Sequence, residues 1–134
     1  LPETLIEANP ELYLRSVMGA RSAGMKPFTD EALAEYLRCL SLPGTAHGLC
    51  EDYRASAGID LEHDRADVQA GRKLSVPLLA LWGAEGTVGR CFDPLQEWRR
   101  VAVDVHGKAL PCGHYIAEEV PQVLLEEVLA FLYS

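Results

Sequence analysis

The chain has 134 residues, 49% of them hydrophobic and 24% charged, a composition that suits one modest globular domain and excludes a disordered tail. Its formal net charge of −8, spread along the chain without a block of like charges, repels polyanions and sets nucleic acid aside as a partner. No apolar run approaches the roughly 20 residues of a bilayer span, and the first residues lack the basic-then-apolar pattern of a signal peptide, so no membrane role and a cytoplasmic location are expected.

Four cysteines, Cys39, Cys50, Cys91 and Cys112, stand far apart with no CxxC pair, which signals neither a zinc site nor a disulfide framework. They read as reduced and mostly buried. The chain opens at Leu1 and its first methionine is Met18, so it is expected to be part of something longer.

From Leu1 to about Lys73 every convincing segment is helical, with interruptions at Gly24 to Pro27 and at Pro43-Gly44. Thr29 or Asp30 caps "EALAEYLRCL", where Leu33, Tyr36, Leu37 and Leu40 form one apolar face at helical spacing. "PGTAHGLCEDYRASAG" follows, with Pro43 near its first turn and Gly58 as its stop. Asp60 then opens a charged, solvated helix that ends at Gly71.

After Lys73 the pattern changes. "VPLLALWG", Val76 to Gly83, is a continuous apolar run closed by glycine, the mark of a parallel strand covered on both faces. "DPLQEWRRVA" predicts a helix with Asp93 as cap, Pro94 at its first position and Trp98 as a core anchor. "VDVHGKALP" predicts a second strand interrupted by Gly107, and Pro121 to Tyr133 the last helix. Strand, helix, strand, helix is the grammar of a parallel α/β sheet. Two strands alone leave a sheet edge unpaired, so further strands are expected outside this chain.

In open α/β sheets reactive groups gather beyond the carboxyl ends of the strands. Two stretches occupy that position, "WGAEGTVGRCFDP" and "PCGHY". His114 in the second stands where a catalytic base belongs, late in the chain; a helix-capping histidine is the plainer alternative.

The strings "CEDYRASAGIDLEHDRADVQAGRKLSVPLLALWGAEG", "RCFDPLQEWR" and "ALPCGHYIAEEVP" resemble the C-terminal half of haloacetate dehalogenases of the fluoroacetate dehalogenase type, in the α/β-hydrolase superfamily. The likeness runs over essentially the whole chain. It implies a partial α/β-hydrolase fold: residues 1–73 as most of a helical cap, residues 74–134 as the last two strands and helices of the core. It also implies His114 as the catalytic histidine and Tyr53, in "CEDYRA", as a cap tyrosine that holds the departing halide. The chemistry needs no metal or organic cofactor and acts on a small haloacid. Trp82, at the end of its strand, is a possible wall of the pocket.

In that family the aspartate nucleophile, the arginines that hold the substrate carboxylate, the acid partner of the histidine and the His-Trp pair of the halide site lie earlier in the chain. A missing N-terminal half is therefore an expected partner, and a homo-oligomer is implied. Many other α/β hydrolases place the acid in a G-x-x-D pattern after the penultimate strand; here Gly83 is followed by Ala84, Glu85 and Gly86. That glycine agrees with the dehalogenase arrangement and stands against an esterase or an epoxide hydrolase, a rival that shares the aspartate nucleophile and uses cap tyrosines as acids. A further alternative is an inactive fragment that self-associates. Glu85 reads as a loop carboxylate or a substitute acid, and His47, His63 and His106 as structural residues. Glu62-His63-Asp64 lacks metal-ligand spacing. Cys112 lies two residues from His114 without geometry that establishes a dyad.

Overall fold

In a computed structural model that describes residues 1–133, the first half of the chain folds into α1 (Pro2–Ala8), α2 (Pro10–Ala20), α3 (Asp30–Leu40), α4 (Thr45–Ser56) and α5 (Ile59–Gln69). Their starts follow local chemistry. Asn9 accepts from Leu12 N–H at 3.0 Å ahead of α2, and Thr29 from Ala32 N–H at 3.2 Å ahead of α3, each satisfying a first-turn donor that the helix leaves orphaned. Gly44, at φ 84°, supplies the left-handed turn into α4, a conformation that glycine adopts without Cβ strain.

Two apolar clusters hold these helices together. Ile6, Ala46 and Cys50 join α1 to α4, with Tyr13, Leu40 and Leu49 packed against them. Met18, Phe28 and Leu33 join α2 to α3, and Tyr115 from the far end of the chain packs against this second cluster. The Phe28 and Tyr115 rings meet edge to face at 5.2 Å. Nearby, the Tyr36 hydroxyl donates to Glu118 Oε1 across 82 residues of sequence.

The second half contains β1 (Leu78–Gly83), α6 (Thr87–Cys91), α7 (Pro94–Val101), β2 (Val105–Leu110), α8 (Ile116–Glu119) and α9 (Pro121–Leu132). β1 and β2 pair in parallel, from Leu78 opposite Val105 to Gly83 opposite Leu110. Both strands begin two residues later than their apolar runs, because Leu74 bridges to Ala102 first and the chain bends before Pro77. Asp93 accepts from Gln96 N–H at 3.1 Å and Pro94 opens α7, as the sequence pattern requires.

Three expectations change. Gly107 does not interrupt β2: a Cβ there would stand 1.9 Å from Ala80 O, so glycine is what allows the two strands to approach. β1 is not covered on both faces within this chain, since only Ala80 and Gly83 of its residues are buried. Trp98 is no core anchor; it is 43% exposed and lines a groove with Leu74 and Val101. Of the cysteines, Cys50 and Cys112 are buried, Cys39 is partly covered and Cys91 is exposed; all four are free. Among the described residues no helix is long and apolar enough to cross a membrane.

Candidate active site

The carboxyl ends of β1 and β2 are tied together beyond the ladder. Ala84 N–H donates to Leu110 O at 2.8 Å and Glu85 N–H to Cys112 O at 3.0 Å. Gly83 and Gly113 touch so closely that a Cβ on Gly83 would lie 1.7 Å from Gly113 O. The sheet thereby delivers two loops, Gly83–Gly86 and Pro111–Tyr115, to one place, the position at which open α/β sheets hold reactive groups.

His114 stands in the second loop, exposed, at a cavity of about 390 Å³ lined also by Arg21, Ser22, Glu85, Arg90 and Glu119. That volume falls in the range of small-molecule sites. The imidazole packs edge to face on Tyr115 with ring centroids 5.0 Å apart. Its own backbone N–H donates to Arg21 O at 3.1 Å, so the segment after α2 is bonded directly to the histidine turn. Among the described residues no carboxylate forms an ion pair with the His114 ring within 4.0 Å.

Glu119, on α8, is the residue that pattern reading missed. Its Oε2 accepts from Gly113 N–H at 2.8 Å and its Oε1 from Tyr115 N–H at 3.2 Å. The Ser22 hydroxyl is shielded from solvent beside this carboxylate, near enough to favour its charge but not aligned for a full hydrogen bond. Burial raises the Glu119 pKa, but the Gly113 N–H, the nearby Ser22 hydroxyl, the Tyr115 N–H and the nearby His114 outweigh it and hold the carboxyl below its ordinary value. A glutamate five residues after a histidine has no periodic signature; the "HYIAEE" string was its only trace.

The other singled-out residues sit as follows. Tyr53, on α4, is 62% exposed and borders a separate apolar groove of about 540 Å³ with Leu5, Ile6, Tyr13 and Leu49. It does not line the His114 cavity, yet Tyr13 and Tyr53 both reinforce the burial that pushes the Tyr115 phenol up, against the opposing pull of Arg21. Trp82 packs its ring over Gly89, whose added Cβ would meet Trp82 Cδ1 at 3.0 Å, and lies outside the lining of the His114 cavity. Glu85 does line that cavity, exposed. Gly86, where a G-x-x-D pattern would place the acid, is buried against Gly83 O and Gly113 O.

Burial, followed by the charges of Glu119 and Glu85, raises the Cys112 thiol, which keeps it protonated and unsuited to a Cys-His dyad. His106 Nε2, on β2, lies 2.9 Å from Asp104 Oδ1 just before that strand, and His63 is exposed on α5. His47 lies between Glu3 and Glu51, a spacing that a cation could use. Arg54 already occupies both carboxylates, at 2.5 Å from each, which accounts for that cluster.

No family model matches the chain. It is 35% identical over 130 residues to a soluble epoxide hydrolase of Corynebacterium sp. (strain C12), covering 95% of this chain and 43% of that protein. It is 31% identical over 121 residues to a fluoroacetate dehalogenase of Burkholderia sp, covering 90% of this chain and 39% of that protein. Among solved structures, it superposes on a protein described as an α/β hydrolase from Nostoc sp PCC 7120 with a TM-score of 0.93 at 50% identity, over 98% of this chain and 45% of that one. The chain spans less than half the length of each of these relatives. The two curated relatives carry different names, an epoxide hydrolase and a fluoroacetate dehalogenase. The elements described above are a portion of the α/β-hydrolase fold, a helical segment followed by the last βαβα of a parallel sheet.

Proposed function

We propose that the chain is the cap segment, residues 1–73, and the C-terminal core, residues 74–134, of a hydrolase that removes halide from small haloacetates. The supporting observation is His114, exposed in a cavity just beyond the carboxyl end of β2 and beside the Gly83–Gly86 loop. In this reading an aspartate from a preceding half of the protein attacks the carbon that bears the halogen. A carbon–oxygen bond forms, the carbon–halogen bond breaks, and the halide leaves with the bonding pair. His114 then takes a proton from water as the water oxygen adds to the ester carbonyl; the bond from that carbonyl to the glycolate oxygen breaks, the proton returns from His114 to the departing oxygen, and the aspartate is regenerated. Fluoride is a poor leaving group, so a donor aimed at its developing charge is needed, and the Tyr53 phenol on α4 is suited to that work. No metal or organic cofactor enters this scheme. The unpaired edge of β1 is the surface against which the preceding half would add its next strand, and a homo-oligomer is the expected assembly.

One observation favours a second reading. The identity to the Corynebacterium epoxide hydrolase, 35%, exceeds that to the Burkholderia dehalogenase, 31%. Epoxide opening uses the same ester and the same water-activating histidine, and a cap phenol would donate to the epoxide oxygen instead of a halide. Gly86 in place of a loop aspartate supports the dehalogenase reading over this one.

The test is a pair of assays on the chain, alone and mixed with the N-terminal half: halide release from fluoroacetate and chloroacetate, and diol formation from a small epoxide, each with His114→Asn as control. Halide release in the mixture, abolished by the substitution, is expected. Diol formation without halide release would transfer the reading to epoxide hydrolysis. Neither product from a folded complex would leave a catalytically inactive fragment.

A further inference from the structure

The turn that carries His114 belongs to no helix or strand, so its backbone N–H groups find no partners in a regular ladder. Three consecutive donors in it are nevertheless satisfied. Gly113 N–H meets Glu119 Oε2 at 2.8 Å, His114 N–H meets Arg21 O at 3.1 Å, and Tyr115 N–H meets Glu119 Oε1 at 3.2 Å. We propose that Glu119 is the positioning residue of His114: one carboxylate grips the N–H groups on either side of the histidine while the residue after α2 grips the histidine itself.

Only a carboxylate two bonds beyond its Cβ fits this task. Both of its oxygens accept, whereas a glutamine offers one acceptor and one NH₂, so an isosteric replacement would face a donor with a donor. Aspartate is one methylene shorter and cannot span both amides from the same position on α8. The space admits little else, because a Cβ at Gly113 would already stand 3.0 Å from Glu119 Oε1 and 3.1 Å from Arg21 O. With the backbone held from two sides, the imidazole is left free to face the cavity, where its reach to a water and an ester carbon depends on the turn staying still. The clamp stands on geometry in the chain; its catalytic consequence rests on the proposed role of His114 as base.

Two measurements separate these levels. In the chain, amide hydrogen exchange followed by NMR is expected to speed up about tenfold or more at Gly113 and Tyr115 in Glu119→Gln, as loss of a charge-assisted hydrogen bond dictates. Exchange in α7 should stay unchanged, and the pH titration of those two amide shifts should vanish. Glu119→Asp provides a second variant with the charge kept, and should show the same local loss. Unchanged amides in both variants would overturn the clamp, as would equal acceleration in α7, which would mark general destabilisation. In the mixture with the N-terminal half, Glu119→Gln is expected to lower kcat about tenfold at constant KM. An unchanged kcat despite loosened amides would overturn the positioning role. If His114→Asn kept full activity, the base assignment would fail while the amide result still stood.

Discussion

At Gly83 and Gly113 two backbones meet without room for a methyl group: a Cβ on Gly83 would lie 1.7 Å from Gly113 O, a clash with backbone that no side-chain rotation relieves. Gly83→Ala is expected to destabilise the chain by about 2–3 kcal/mol and to move the His114 turn, read by urea denaturation and by the amide shifts around His114. Gly48 is the contrast: it lies inside α4 with open space where a Cβ would go, so Gly48→Ala should stabilise by about 0.5–1 kcal/mol. Glu119 adds a pH dependence. Its folded pKa lies below the ordinary value of 4.5, so its contribution is fully present above that value and is lost as pH falls through the folded pKa. His114, Ser22, Arg21 and Glu85 line the same cavity as the carboxylate. The stability difference between the natural chain and Glu119→Gln should therefore be largest at neutral pH and shrink in acid, as acid titration of both would show. The place of His114 beyond the end of β2 was legible because the strand and the turn after it leave a local pattern. Glu119 was not, because it acts on backbone donors, which every residue type carries alike.

The helices obey their caps. Thr29→Ala removes the acceptor for Ala32 N–H ahead of α3 and should cost about 1 kcal/mol, with Thr29→Ser restoring most of it in thermal denaturation. The same helix carries Tyr36, whose hydroxyl donates to Glu118 on α8. That bond, then burial, then the Glu118 charge raise the Tyr36 pKa above 10.0. A raised tyrosine contributes while protonated, so the tie holds below pH 10 and is lost as pH rises through the folded value. Tyr36→Phe should abolish that alkaline step in a stability profile without adding one in acid. These elements were readable in different degrees. Thr29 ahead of an apolar face and Asp93-Pro94 ahead of "LQEWRR" locate α3 and α7 because capping is local chemistry. The starts of β1 and β2 were displaced because Leu74 and Ala102, outside both strands, pair first. A bond such as Tyr36 to Glu118 leaves no local trace at all.

Across the whole molecule the sheet has two strands, and the far edge of β1 has no strand beside it among the described residues. Large apolar side chains remain open just before the two strands and along α9: Val76 at 63%, Val103 at 70%, Leu125 at 56% and Leu132 at 67% exposure. A surface of this kind seeks a cover. Sedimentation equilibrium on the isolated chain should give a mass that rises with concentration, and Val103→Lys should reduce the rise; a strict monomer at high concentration would contradict the expectation. The α/β class was legible because "VPLLALWG" is a short apolar run closed by glycine and followed by a capped helix and a second strand, yet its half-covered state was not, since burial depends on neighbours that no single strand specifies. The hydrogen bond from His114 N–H to Arg21 O has a consequence for how the molecule comes together. It closes a loop that takes in most of the sequence, and such closures cost chain entropy before they return any contact. The five helices before the sheet can collapse on short-range contacts alone. The histidine turn cannot acquire its final shape until residues 21 and 114 have met, so its assembly is expected to be late and its protection from amide exchange low beside that of the helices.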